Sequence, residues 1–166
     1  MPNNDGGLEI EHDLDFQQKE WTIQRISWVA MAVVVLLTLL GLLGHGPLSA
    51  QTRRAEGIEV SYWHYVHQTA PTDLEILVAP EALVGGQARV WIDQGYAKTA
   101  RVSDITPQPE SVESSAERVL YTFQAEDPLQ PVRVVFNMRL DSIGTLDGSV
   151  GLEDGASVTF EQLVYP

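Results

Sequence analysis

The chain has 166 residues, no cysteine and a formal net charge of −13 at pH 7. This excess of acids argues against binding to nucleic acid or to anionic lipid head groups, because both are repelled by the same field. The absence of cysteine excludes disulfides, thiolate metal sites and a lipidated cysteine as a membrane anchor.

The first 25 residues form an acidic N-terminal tail. Leu8, Ile10, Leu14 and Phe16 are apolar residues at even positions, and the acids Glu9, Glu11, Asp13 and Asp15 lie at the odd positions between Leu8 and Phe16. This period of two would let the segment add as a strand to a partner's sheet, but the same composition is typical of disordered tails. We interpret residues 1–25 as a disordered tail that at most becomes ordered on a partner.

The next segment is an apolar run without charge, Ile26–Leu43. At about 1.5 Å per residue, a helix over this run is roughly 27 Å long, close to the hydrocarbon thickness of a bilayer. The run predicts one transmembrane helix over residues 26–46. A cleaved signal peptide is the alternative, but the run is longer than a typical signal core and lacks a good cleavage site.

Basic residues predict the orientation of this span. Lys19 and Arg25 precede it and Arg53 and Arg54 follow it, but only Arg25 directly abuts the apolar run. Because basic residues close to the membrane favour the cytoplasmic side, we predict a cytoplasmic N-terminus and an extracytoplasmic C-terminal domain. The lipid bilayer is then the first partner of the chain.

The remaining sequence predicts a short linker and a β domain. Residues 47–57 are rich in polar residues and turn formers and indicate a juxtamembrane linker. Short segments rich in β-branched and aromatic residues follow, separated by turn residues. The predicted strands are 57–67, 74–79, 88–93, 100–105, 119–125, 132–140 and 158–164, with an eighth at 149–152 between the hairpin signals Asp147-Gly148 and Asp154-Gly155.

No helical pattern in this part is long enough for parallel crossovers between strands. Parallel strands need such crossovers, whereas antiparallel strands are joined by the short turns seen here. We therefore predict that residues 58–166 form an all-β domain, an antiparallel immunoglobulin-like β-sandwich.

The first predicted strand contains the best candidates for chemistry, His64 and His67. On a strand, residues three apart point to opposite faces, so these two imidazoles are not expected to share a metal ion. His12 and His45 lie in other parts of the chain. We predict no metal site and interpret the segment as an aromatic strand that contacts a partner. The residues with predicted partner contact are Tyr62, Trp63, His64 and Tyr65.

Other catalytic and binding motifs are weak. The acids Asp141, Asp147, Glu153 and Asp154 do not follow the ligand spacing of a calcium loop, so they are interpreted as turn caps. The chain has no Gly-x-Ser-x-Gly motif and no phosphate-binding glycine loop ahead of a helix. We predict no catalytic residues and no cofactor, and interpret the protein as a non-enzyme.

Four phrases of the sequence carry a resemblance: residues 46–49 (GPLS), 70–72 (APT), 105–112 (ITPQPESV) and 160–166 (FEQLVYP). In them the chain resembles small bacterial single-span membrane proteins with a C-terminal β domain, over roughly residues 20–166. Members of that group tend to be encoded beside polytopic membrane proteins of the YetF type. The resemblance implies an accessory role in the bacterial cytoplasmic membrane with a multi-span partner, and it supplies no catalytic or binding residues.

Two functions from different classes stay open. The first is an accessory or interaction protein that presents its β-sandwich outside the cytoplasm to a polytopic membrane partner. The second is an extracytoplasmic sensor of a small ligand or metal that signals through one span. Such signalling needs a change of oligomeric state or of partner, and the span offers only Gly41 and Gly44 in place of a Gly-x-x-x-Gly face, which favours the first function. A homo-oligomer is compatible with both.

Overall fold

The computed structural model describes residues 14–39 and 49–166, and the side chains of its N-terminal helix from Trp21 onward. These residues belong to two compact units, one helical and one all-β. An N-terminal apolar helix followed by an all-β domain is therefore the architecture of the chain, as the sequence predicts.

Helix α1 spans Leu14–Leu39. Its segment Trp21–Leu39 is long and apolar enough to cross a membrane, a test that an N-terminal signal sequence also passes. The large apolar side chains of this segment are exposed on all sides, Trp28 and Leu39 among them. A helix that is apolar all round is stable in lipid or inside a protein core, and no described residue of this chain buries it.

The helix begins earlier than the sequence predicts. The prediction of a disordered tail over residues 1–25 is wrong for residues 14–25, because α1 already includes them. Leu, Gln, Lys and Glu in this stretch are good helix formers, and extending an existing helix costs far less than nucleating one. Residues 1–13, with most of the acidic and apolar alternation, and residues 40–48, with the predicted end of the span, lie outside the described residues.

The described part of the β domain begins at Ser49, and its residues form eleven strands in two sheets. The strands are β1 (Ala50–Ala55), β2 (Ile58–Trp63), β3 (Tyr65–His67), β4 (Pro71–Val78), β5 (Gln87–Asp93), β6 (Ala100–Thr106), β7 (Ser111–Ser114), β8 (Arg118–Gln124), β9 (Val132–Leu140), β10 (Gly144–Leu152) and β11 (Ser157–Tyr165). Sheet A has the order β1-β2-β4-β9-β6, and sheet B has the order β3-β11-β10-β5-β8-β7. Neighbouring strands are antiparallel except β3 and β11, whose parallel pairing corrects the prediction of a purely antiparallel domain.

The hydrophobic core lies between the two sheets. Buried side chains alternate with more exposed ones along β9, as expected for a strand with one face against a core. Tyr62 of sheet A packs on Phe160 of sheet B with ring centroids 5.0 Å apart. Phe136 of sheet A meets Tyr121 of sheet B at 5.1 Å. The two sheets thus pack face to face in a sandwich-like arrangement.

The segment 57–67, predicted as one strand, is divided at His64. β2 belongs to sheet A and β3 to sheet B, so the break carries the chain between the sheets. In an unbroken strand Tyr62, His64 and Val66 would point to the same side, and an imidazole would enter the core beside two buried neighbours. The break keeps Tyr62 and Val66 buried and turns His64 out of the core.

The predicted linker is a strand from Ala50 onward. β1 pairs with β2 through the turn Glu56-Gly57, in which Gly57 has a φ of 77°. β1 lacks an apolar alternation because five of its six residues are exposed. β7 lacks one for the same reason, since all four of its residues are exposed.

A short helix, α2 (Gln94–Thr99), replaces a turn predicted after β5. The carboxylate of Asp93 caps it by accepting a hydrogen bond from the Tyr96 N–H at 3.0 Å. The buried Tyr96 hydroxyl donates to Gln162 Oε1 at 2.7 Å, and Gln162 Nε2 donates to the Trp63 carbonyl at 2.8 Å. These bonds connect α2 with both sheets. Burial raises the pKa of Tyr96, so the phenol stays neutral at physiological pH.

The predicted hairpin signal Asp147-Gly148 lies inside β10 instead. A Cβ on Gly148 would lie 2.5 Å from Phe160 Cζ and 2.9 Å from Tyr96 Cδ2. The glycine therefore makes room for two aromatic rings. The second hairpin signal, Asp154-Gly155, does lie in the turn between β10 and β11, as predicted.

We expect Gly148→Ala to lower the free energy of unfolding by about 1–3 kcal/mol, because the added methyl group must displace Phe160 and Tyr96 from a packed core. Urea unfolding of the full-length protein in detergent, followed by tryptophan fluorescence, measures this loss. Ser149→Ala on the same strand is the control and should change stability by less than about 0.5 kcal/mol. Unchanged stability of Gly148→Ala would show that the rings do not pack against this glycine.

Candidate interaction surface

Four side chains form a partly apolar strip on the outer face of sheet B. The parallel register of β3 and β11 places Tyr65 beside Leu163 and His67 beside Tyr165. The buried residues between them, Val66 and Val164, face the core, so these four face outward. We call Tyr65, His67, Leu163 and Tyr165 the aromatic strip.

The rings of the aromatic strip are held by edge-to-face contacts. His67 and Tyr165 have ring centroids 5.4 Å apart and an interplanar angle of 80°. His64 contacts Tyr65 in the same manner at 4.6 Å. Leu163 is 39% exposed and His67 is exposed, whereas the two tyrosines are half-buried. Rings held in this way lose little conformational freedom when a partner covers them.

Ser49, the first described residue of the β domain, fixes the start of β3. It is fully buried, and its carbonyl accepts a hydrogen bond from the His64 N–H at 2.7 Å. Its hydroxyl accepts from the Tyr65 N–H at 3.0 Å and donates to the Tyr65 carbonyl at 3.2 Å. The Ala70 N–H donates to the His67 carbonyl at 3.1 Å. These bonds occupy polar groups on the free edge of β3 that a further strand would otherwise pair with.

The structure divides the residues predicted to contact a partner among three environments. Tyr62 is only 4% exposed and packs in the core, so its predicted contact role is wrong. Trp63 is half-buried on the outer face of sheet A, where its Nε1–H donates to Asp73 Oδ1 at 3.0 Å. His64 and Tyr65 adjoin the outer face of sheet B.

Both histidines of this region donate to carbonyl groups. His64 Nδ1 lies 2.9 Å from the Glu161 oxygen, and His67 Nδ1 lies 2.8 Å from the Gln68 oxygen. Because a carbonyl only accepts, Nδ1 carries the hydrogen in both rings. Within residues 21–39 and 49–166, no three His, Asp or Glu side chains form a group that could hold a metal ion. His12 and His45 lie outside the described residues.

The acids predicted to cap turns have other roles where the structure places them. Asp141 forms an ion pair with Arg101 at 2.7 Å, and Glu153 forms one with Arg89 at 2.7 Å. Asp147 lies within β10 and points outward. The prediction of turn caps is therefore wrong for these three.

An open groove of about 440 Å³ lies at the turn between β10 and β11. Its charged lining residues are Glu56, Glu81, Arg89, Glu153 and Asp154. The Arg89 guanidinium is already occupied by Glu153, and the side-chain hydrogen bond between them raises the pKa of Arg89. The groove is thus an acidic surface depression with one internally paired base.

The two ends of the β domain differ in charge. At the end that carries Gly57, loops 56–57, 79–86, 107–110, 125–131 and 153–156 hold seven acids and no base. At the end that carries Ser49, segments 68–70, 94–99, 115–117 and 141–143 hold two acids and one lysine. The aromatic strip lies at the nearly neutral end. Charged residues are depleted at the centres of protein interfaces, so this end requires less desolvation of charge on binding.

We expect Ser49→Ala to lower the free energy of unfolding by about 1–3 kcal/mol, because the Tyr65 N–H and carbonyl would lose their partner in a largely buried place. The Tyr65 amide should also exchange hydrogen faster. Hydrogen exchange and urea unfolding of the full-length protein in detergent measure both effects. Ser61→Ala, which removes only the exposed 3.0 Å contact with Thr52, is the matched control. Equal exchange at Tyr65 in wild type and Ser49→Ala would contradict the assigned role.

We predict that replacing His64 and His67 together by Gln leaves zinc and copper binding by the full-length protein unchanged, since the two imidazoles donate to separate carbonyls. Titration calorimetry on the two proteins makes the comparison, with His12 and His45 present in both. A stoichiometric metal site that disappears in the double variant, with the circular dichroism unchanged, would refute the prediction.

No family model matches the chain, and no curated protein matches it. Among solved structures, the chain is similar to the sulfur carrier protein SoxY from Chlorobium limicola f thiosulfatophilum, with 11% identity, a TM-score of 0.39 and coverage of 69% of this chain and 84% of that one. It is also similar to a cohesin module from a Clostridium perfringens family 33 glycoside hydrolase, with 11% identity, a TM-score of 0.41 and coverage of 65% and 95%. Likenesses at this level carry no argument about function.

Proposed function

We propose that this protein is a single-pass accessory protein of the bacterial cytoplasmic membrane that presents its β domain, outside the cytoplasm, to a polytopic membrane partner. The observation that carries the proposal is the aromatic strip, a partly apolar surface at the less charged end of a domain that is otherwise rich in acids. Contiguous exposed apolar surface is a common feature of interaction sites, which makes the strip the candidate contact surface of this domain.

The position of the aromatic strip supports this proposal. Ser49, whose backbone and hydroxyl bond to His64 and Tyr65, is ten residues beyond the last described residue of α1, Leu39. A retained helix would therefore tether the β domain to the membrane through a short stretch of chain. A membrane partner would then meet the strip at a high effective concentration.

We assign the β domain to the immunoglobulin-like sandwiches. The face-to-face packing of two sheets of short strands around one core supports this assignment. The parallel pair β3 and β11 is a departure from the simplest form of that architecture. The resemblance to proteins encoded beside YetF-type membrane proteins supports a polytopic partner, and Arg25 beside the apolar run supports an extracytoplasmic β domain.

The acidic groove favours a second candidate, an extracytoplasmic sensor of a small cationic ligand. Its volume of about 440 Å³ is within the range of ligand sites. The groove is open and lacks the convergent, desolvated polar groups that orient a ligand, and its one base is paired with Glu153. These properties make the sensor the weaker candidate.

Site-specific photo-crosslinking in native membranes tests the proposed function. A photoreactive residue at Leu163 in the full-length protein should crosslink to a multi-span membrane protein identified by mass spectrometry. The same photoreactive residue at Thr159 should crosslink less. Thr159 lies on the same face of β11 as Leu163 but four residues away from it. Tyr65→Ser should reduce the Leu163 product severalfold. Recovery of the protein without any crosslinked membrane protein would contradict the proposal.

Protease treatment of spheroplasts tests the proposed topology in the same cells. External protease should digest the β domain and spare an epitope placed before Lys19. Digestion only after lysis would reverse the orientation. Release of a soluble fragment beginning between residues 40 and 51 would identify the apolar helix as a cleaved signal sequence.

A further inference from the structure

The outermost strands of the two sheets differ in how far their free edges are closed. β3 is occupied by Ser49 and Ala70, as described above. β6 carries a bulge between Val102 and Asp104 and is followed directly by Pro107. β7 has only four residues. β1, in contrast, is a regular strand of six residues without proline or bulge. Of the usual means of protecting an edge, β1 lacks a bulge, a proline and shortness, and it has only the charged side chains of Arg53 and Arg54.

The hydrogen bonds of β2 define which groups of β1 are free. His64 N–H donates to the Ser49 carbonyl at 2.7 Å, so these two residues form a hydrogen-bonded pair. Hydrogen-bonded and non-hydrogen-bonded pairs alternate along an antiparallel ladder. The hydrogen-bonded residues of β1 are therefore Gln51, Arg53 and Ala55. The residues that direct N–H and C=O groups to the free edge are Ala50, Thr52 and Arg54.

A bond on the other side of β2 gives the same alternation. The Ala79 N–H donates to the Gly57 carbonyl at 3.0 Å, so odd-numbered residues of β2 bond to β4. Even-numbered residues of β2 then bond to β1, in agreement with the pair formed by His64 and Ser49. The free edge of β1 is thus a row of alternate backbone donors and acceptors open to a further strand.

The free edge of β1 is also a local basic site in an acidic domain. Residues 51–166 contain seventeen acids and eight bases. Arg54 is occupied by Glu59 at 2.7 Å, and the side-chain hydrogen bond raises the pKa of the arginine. Arg53 is exposed, and the described residues offer it no ion pair.

On the basis of the proposed interaction function, we propose that β1 is the site at which an extended segment of the partner adds as a further strand to sheet A, with an acidic side chain of that segment beside Arg53. The backbone groups of Ala50, Thr52 and Arg54 supply affinity without sequence preference, and Arg53 selects an acidic segment.

A second copy of this chain fits the same edge less well. In a two-fold antiparallel pairing of β1 with itself that is centred on Arg53, the two Arg53 side chains lie directly opposite each other and the two Arg54 side chains lie on a diagonal. Like charges on adjacent strands destabilise the pairing. The same two arginines therefore disfavour self-association and favour an acidic strand from another protein.

Crosslinking in native membranes with two variants of Thr52 tests this inference. A photoreactive residue at Gln51 in the full-length protein should give a product with a membrane protein. Thr52→Pro should abolish that product, because proline removes a free-edge N–H and no bond to β2. Thr52→Ala, which keeps the N–H and loses the same hydroxyl, should retain it. An unchanged product in Thr52→Pro would overturn the inference.

Charge reversal provides a second measurement that does not depend on proline. Arg53→Glu should weaken the Gln51 product by about fivefold, the value of one exposed ion pair. Arg139→Glu on β9 makes the same change in net charge elsewhere and should leave it unchanged. Equal losses in both variants would contradict a local role for Arg53.

The outcomes separate this inference from the proposed function. Products from Leu163 but none from Gln51 would retain the membrane partner and overturn strand addition at β1. Products from neither position would overturn both. A Gln51 product that joins two copies of this chain would show self-pairing and overturn the acidic segment as occupant. Retained protection of the Tyr65 amide in Thr52→Pro would confirm that this variant is folded.

Discussion

The hydrogen bonds between Ser49 and the backbone of His64 and Tyr65 determine much of the rest of the β domain. They hold the chain at the point where it passes from sheet A to sheet B. Because the pair formed by Ser49 and His64 is hydrogen-bonded, it also fixes which residues of β1 point to solvent. The hydroxyl of Ser49 occupies backbone groups on the free edge of β3. The hydrogen bond to its carbonyl sets the alternation by which Ala50, Thr52 and Arg54 direct their backbone groups to the free edge of β1.

Most strands could be predicted from the sequence because they are half-buried. Segments such as Val132–Leu140 alternate buried and exposed residues, which is a local signal. β1 and β7 have no buried face and hence no such signal. The sequence predicted a turn at Gly148, whereas the structure requires glycine there because the rings of Phe160 and Tyr96 leave no room for a Cβ. These rings come from other parts of the sequence, so no local pattern reveals them. The short helix α2, which Asp93 caps, could likewise not be predicted from the sequence, because it depends on the burial of Tyr96 in the core.

The candidate site could be predicted only in part. The sequence predicted Tyr65 as a contact residue because aromatic residues cluster from Tyr62 onward. The same pattern did not show that Tyr62 lies in the core, because the segment was predicted as one unbroken strand. The division at His64 follows from the cost of burying an imidazole, which competes with strand continuity. Leu163 and Tyr165 join the aromatic strip through a parallel pairing across about a hundred residues. No local pattern in either segment indicates that pairing.

Electrostatics acts on two length scales in this domain. Its net negative charge repels an acidic partner at long range, but charges separated by more than about 8 Å are largely screened at physiological ionic strength. In the strand addition that we propose, the partner meets Arg53, which has no described ion pair, and a row of free backbone groups. Four other arginines are already paired with acids of the domain itself, so they offer a partner less. The long-range field therefore favours solubility of the domain, while the proposed choice of partner depends on groups at the β1 edge that have no described partner within the fold.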